Sequence, residues 1–125
     1  MSDQQLGWSK TIDDADFDQV RERTVAALQA EGFGVITEID VKATMKKKLD
    51  VDFRRYQILG ACNPGFAHRA LSVEPAVGLM LPCNVVVYEE DDGATTVSFA
   101  RPEEMFKLVD LPGLAPLMGE VSTSI

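Results

Sequence analysis

Two cysteines, each followed by asparagine, stand out as residues able to do chemistry: Cys62-Asn63 and Cys83-Asn84, with the single histidine, His68, between them. They lie in the stretch YQILGACNPGFAHRALSVEPAVGLMLPCNVVVYEE, residues 56–90, which also holds three of the six prolines. Asn63 is a strong helix N-cap and Pro64 suits the first helical position, because a missing N–H costs nothing there. Cys62 therefore falls directly before a predicted helix start. Unpaired N–H groups and positive partial charge at such a start favour a thiolate and can hold an anion. Cys83 opens an apolar strand. The chemistry this pattern suggests is ligand binding through Cys62, Asn63, Cys83 and Asn84, or thiol redox chemistry with Cys62 as nucleophile and Cys83 as resolving thiol.

Whether the two thiols meet is a matter of reach. A helix from Pro64 to Glu74 climbs roughly 16 Å. The eight residues Pro75 to Pro82, if extended, return about 26 Å. Cys83 can thus come back beside Cys62 on a neighbouring strand. The competing reading is that each cysteine is a small core hydrophobe. No CxxC is present, and the spacing of Cys62, His68 and Cys83 is not a zinc pattern, so His68 is a metal candidate only if further donors join it. There is no phosphate loop, since Gly60-x4-Gly65 lacks the following Lys and Ser/Thr, and no GxSxG elbow. The residues leave open whether the chain is an enzyme, and they name no cofactor.

The elements that must position these residues follow from pattern. Gly7 to Ile12 alternates as a strand. Asp13, Asp14 and Asp16 then supply cap and dipole-favourable charge for a helix with the stripe Phe17, Val20, Thr24, Ala27 and Leu28, closed by Gly32. Gly34 to Ile39 reads as a strand, and Asp40 caps a helix over Val41 to Leu49 with the stripe Val41, Met45 and Leu49. A third strand covers Arg54 to Ala61, followed by the Asn63-capped helix that Pro75 stops. Val77 to Glu90 reads as extended, with Pro82 forcing an edge, a bulge or a break. Asp91-Asp92-Gly93 makes a hairpin turn to a strand over Thr95 to Ala100. Pro102 opens a last helix.

The order β-α-β-α-β-α-β-β-α predicts an α+β two-layer sandwich with a mixed, mostly antiparallel sheet. All 125 residues are read as one domain, with a flexible N-terminus over 1–6 and an irregular C-terminal strap over 111–125. The net charge of −8 argues against a grip on nucleic-acid backbones. Lys46, Lys47 and Lys48 read as a solvated helix end. The longest apolar run is about 13 residues, short of the ~20 that span a bilayer. No signal peptide is visible in MSDQQLGW. A soluble, cytoplasmic protein with reduced thiols is the expectation.

The runs YQILGACNPGFAHRAL and EPAVGLMLPCNVVVYEE resemble the prokaryotic family called domain of unknown function 302. GFGVITEIDVKATMKKKLDVDFRRY is also similar, and the resemblance extends from about Trp8 through Glu104. The motif positions correspond to Gly60, Cys62, Asn63, Pro64, Leu81, Pro82, Cys83 and Asn84. The resemblance implies a small α+β sandwich that often pairs into homodimers, and it assigns no activity. The C-terminal DLPGLAPLMGEVSTSI is less clearly shared.

Overall fold

The computed structural model describes residues 7–100. The helix expected from Pro102, the strap over 111–125 and the N-terminal residues 1–6 lie outside them. The described elements are β1 (Gly7–Ile12), α1 (Phe17–Ala30), β2 (Gly34–Asp40), α2 (Val41–Leu49), β3 (Tyr56–Cys62), α3 (Pro64–Val73), a 3-10 helix (Pro75–Met80), β4 (Cys83–Glu89) and β5 (Thr95–Ala100). They form an α+β fold around one five-stranded sheet, ordered β1-β5-β4-β3-β2.

Every neighbouring pair in that sheet is antiparallel. The expectation of a partly parallel sheet is corrected on this point. The helix-bearing connections β2-α2-β3 and β3-α3-β4 join antiparallel neighbours, so each helix leaves and returns at one end of its strands. Only α1 crosses the whole sheet, carrying the chain from the β1 edge to the β2 edge. That route lays it against the sheet, and this is where the core forms.

The sequence makes α1 the most strongly specified helix. Asp16 Oδ1 accepts from Gln19 N at 2.8 Å and Gln19 Oε1 accepts from Asp16 N at 3.1 Å, a reciprocal capping box. Phe17, Val20, Thr24 and Leu28 are buried at helical spacing. Ala27, expected on that stripe, is exposed, and Val25 packs against the core instead. The stripe presses on Leu59 and Ala61 of β3, Val85 and Val87 of β4, and Val97 of β5. These alternate positions define one sheet face. Fully burying a side chain of this size contributes about 1.5–3 kcal/mol.

Two further differences have local causes. Leu49 of α2 is 65% exposed, because this nine-residue helix turns only Val41 and Met45 partly inward. Its lysine-rich end is solvated as expected, with Lys46 Nζ 2.9 Å from Asp50. Residues 75–80, read as part of an extended run, form the 3-10 helix: Pro75 starts it and the Glu74 carboxylate accepts from Ala76 N at 3.0 Å. Pro82 produces a break, and β4 begins at the next residue. The β4–β5 hairpin turns at Gly93, whose φ of 90° suits glycine.

Candidate functional site

The candidate corner is built where β3 ends and β4 begins. In the β3–β4 ladder, Gly60 lies opposite Asn84 and Ala61 opposite Cys83. Cys62, the last residue of β3, is one step beyond and pairs on its other side with Gly34 of β2. The structure therefore brings both Cys-Asn steps onto adjacent strands, at one end of the sheet. The excursion between them, α3 plus the 3-10 helix, leaves and re-enters the sheet within one residue of register.

Pleating then divides the four residues. Directly opposed residues share a face, and successive residues alternate. Cys83 shares the core face with Ala61 and Val85. Cys62, Gly60 and Asn84 share the other face, with Cys62 and Asn84 at a diagonal of roughly 7–8 Å between backbones. Both cysteines are half-buried free thiols. Burial, and then the nearby Cys62, push the Cys83 thiol above its ordinary range. Asn84 is exposed.

Asn63 is already engaged. Its Oδ1 accepts from Phe66 N at 3.1 Å, capping α3. Its Nδ2 lies over Gly32, where a Cβ would come within 3.0 Å of it. Gly32 also has a φ of 86°, so the α1–β2 turn and the start of α3 are matched at this contact. His68 is exposed on α3. Among the described residues no three His, Cys, Asp or Glu side chains gather into a group able to hold a metal.

The support of the corner comes from residues that spacing alone did not single out for this role. A Cβ on Gly60 would fall 2.1 Å from Thr37 Oγ1 and 2.7 Å from Pro82 Cγ. Thr37 of β2 and the Pro82 ring thus close over the Gly60 backbone, fixing where β4 starts. The Leu81–Pro82 peptide is cis. The sequence signal was present in a glycine inside an otherwise well-formed strand, which marks a close approach. A separate cleft of about 400 Å³ lies at the opposite end of β2 and β3, lined by Asp40, Lys42, Ala43, Lys46, Val51, Asp52 and Phe53. Its lysines are held, Lys42 Nζ donating to the Phe53 carbonyl at 2.8 Å and Lys46 Nζ pairing with Asp50 at 2.9 Å. No pattern in the sequence marked it.

A family profile described as "Domain of unknown function DUF302" matches residues 8–125. The chain belongs to the DUF302 family. A crystal structure of an uncharacterized conserved DUF302 protein from Bacillus stearothermophilus is similar, with 28% sequence identity and a TM-score of 0.85. The similarity covers 95% of this chain and 91% of that one. No curated protein matches the sequence. The corner thus lies within the region that the DUF302 profile matches. No helix among the described residues is long and apolar enough to cross a membrane.

Proposed function

We propose that this DUF302 domain is a small ligand-binding module whose site is the corner formed by Cys62-Asn63 and Pro82-Cys83-Asn84. The observation that carries the reading is the β3–β4 register, which sets Cys62 and Asn84 on one face at the end of the sheet. On that face the Cys62 thiol and the Asn84 carboxamide offer a soft donor and a hydrogen-bonding group side by side. Cys83 backs them from the core face, and its raised pKa keeps it a neutral thiol at neutral pH. The ligand class that fits is a small molecule or anion with one group able to accept from Asn84 and another that contacts sulfur. Asn63 serves this site by holding α3 in place.

The second reading, thiol redox or thiol-dependent catalysis with Cys62 as nucleophile and Cys83 as resolving thiol, draws on one observation. Cys62 is close enough to raise the pKa of Cys83. Their one-residue offset works against it, because alternation sends the two Cβ vectors to opposite faces and a disulfide needs them to converge.

A thermal-shift panel of small organic and inorganic anions and soft metal ions, in reducing buffer, tests the binding reading. A ligand at about 100 times its Kd adds ~2.7 kcal/mol to stability, which is several degrees for a domain of this size. The expected result is a shift in the wild type that is lost in Cys62→Ser and in Asn84→Ala. A shift that survives both substitutions, or a panel with no shift, overturns it.

A further inference from the structure

The cleft beside α2 lies at the far end of β2 and β3 from the cysteine corner, and nothing in that corner depends on it. Asp50, left-handed at φ 52°, ends α2 and turns the chain, so that Val51, Asp52 and Phe53 return alongside the helix. On the helix side Lys42 and Lys46 are one turn apart and share a face, with Ala43 beside them. Lys42 Nζ donates to the Phe53 carbonyl at 2.8 Å, which ties the returning segment to the helix. The space between them is about 400 Å³, within the range of small-molecule sites. At the ~30 Å³ that a water molecule takes up in the liquid, it admits roughly a dozen heavy atoms.

The walls of the cleft select what fills it. Val51 and Phe53 are 43% and 38% exposed there. Phe53 tilts by 51° against Tyr56 with ring centroids 6.2 Å apart, and Tyr56 stacks on Tyr88 at 5.2 Å. This aromatic row holds Phe53 in place and leaves ring surface in the cleft, where a planar group gains more than its burial alone. The lining charges balance, two lysines against Asp40 and Asp52, but they are not equally answered. Asp40 Oδ1 accepts from Ala43 N at 3.0 Å, and Lys46 Nζ is 2.9 Å from Asp50. Lys42 has no carboxylate partner among the described residues, and its ammonium keeps two donors beyond the one given to Phe53. Asp52 has only Lys46, at 4.0 Å, and its side chain is 93% exposed. One cation and one anion are thus left over, close together, because Lys42 bonds to the backbone of the residue after Asp52. A carboxylate and an ammonium on a single carbon match that pair, and such a ligand adds no net charge to a chain at −8. A plain anion leaves Asp52 unanswered and meets the field of an acidic protein, and a plain cation leaves Lys42 unanswered. We propose that this cleft binds a small aromatic zwitterion of the α-amino acid class, with its ring on Phe53 and Val51, its carboxylate on Lys42 and its ammonium on Asp52.

Amide chemical-shift titration of the full, isotope-labelled chain at neutral pH, with L-phenylalanine from about 0.1 to about 20 mM, brackets the affinity expected of so small a ligand, a Kd of about 1 mM or tighter. The amides expected to move are those of Ala43, Val51 and Phe53. Phenethylamine, which lacks the carboxylate, is expected to bind at least ~10-fold more weakly, and so is L-phenylalanine to Lys42→Gln. Phenylacetate, which lacks the ammonium, loses about 3- to 5-fold, as does Asp52→Asn, because that pair is exposed. L-leucine, without the ring, loses about 5-fold. Lys48→Gln removes the same charge from the solvated end of α2 and leaves binding unchanged. If Lys42→Gln lowers the urea midpoint, Asp52→Asn decides, since Asp52 touches only Lys46. The inference is overturned if no amide moves at the highest concentration, or if the shifts centre on Gly34, Cys62 and Asn84. It is equally overturned if phenylacetate or phenethylamine binds as well as L-phenylalanine, if Asp52→Asn binds like wild type, or if Lys48→Gln weakens binding as much as Lys42→Gln.

Discussion

Gly60→Ala puts a single methyl group where the corner is closed most tightly. The added Cβ would sit 2.1 Å from Thr37 Oγ1 and 2.7 Å from Pro82 Cγ, both inside contact distance. Thr37 can relieve its part by rotating Oγ1, at the cost of leaving its preferred rotamer, about 0.5–1.5 kcal/mol. The Pro82 ring has no such freedom, because it is tied to the backbone immediately before Cys83. The β4 start must therefore shift by several tenths of an ångström against a ladder that continues to Glu89. Overpacking of this kind costs typically 1–3 kcal/mol, so we expect a loss of about 2 kcal/mol. With a urea m-value of ~1.5 kcal/mol per molar, the midpoint falls by about 1.3 M. Equilibrium urea unfolding followed by circular dichroism measures this directly. Gly60→Ala/Thr37→Ala should recover part of the loss and not all of it, since Pro82 remains. A midpoint within about 0.2 M of wild type would refute the packing argument, because the m-value makes that a cost of only ~0.3 kcal/mol.

Three further outcomes follow from the same structure. Asn63→Ala removes the cap on α3 and is expected to cost about 1 kcal/mol in urea unfolding, while Asn63→Asp, which keeps an accepting oxygen, costs little. Gly32→Ala forces a side chain into φ 86° against Asn63 Nδ2, so a loss of at least ~1 kcal/mol is expected, and a neutral result would deny the turn-to-cap contact. Stability also acquires a pH dependence from Cys83. Its folded pKa lies above the unfolded value, so the unfolded state loses its proton first as pH rises. The contribution is complete below the unfolded thiol pKa of roughly 8.5 and is lost as pH climbs through the raised folded value. Urea unfolding at neutral and alkaline pH should show a smaller alkaline loss in Cys83→Ala than in the wild type.

Much of this fold was legible in the sequence where local signals agreed with the tertiary arrangement. The Asp16–Gln19 box and the spacing of Phe17, Val20, Thr24 and Leu28 specify α1 without reference to anything else. Asn63-Pro64 specified the start of α3, and Asp91-Asp92-Gly93 specified the hairpin. Less was legible where a segment has apolar character but no period. Pro75 to Met80 is such a run, and the Glu74 side chain decides its form by capping a 3-10 turn. Strand direction was hidden as well, because helices between β2, β3 and β4 suggest crossovers, whereas α2 and α3 return the chain at the end it left.

The candidate site divides in the same way. The reach of the chain admitted both a shared corner and a scattered pair, and only the ladder places Cys83 opposite Ala61, one step from Cys62. The division of Cys62 and Cys83 between two faces depends on that one-residue offset, which no spacing rule supplies. The role of Gly60 beneath Thr37 and Pro82 likewise depends on β2 lying beside β3.

The shared corner is tested most directly by the titration of Cys83 with and without its neighbour, followed as the pH dependence of its alkylation rate. Burial is the larger cause of the raised Cys83 pKa and persists in Cys62→Ser. If Cys62 lies one step away across the ladder, the substitution removes the smaller contribution of the neighbouring thiol, so the apparent pKa falls part of the way toward the ordinary thiol value. An identical Cys83 profile in the two proteins would contradict the account.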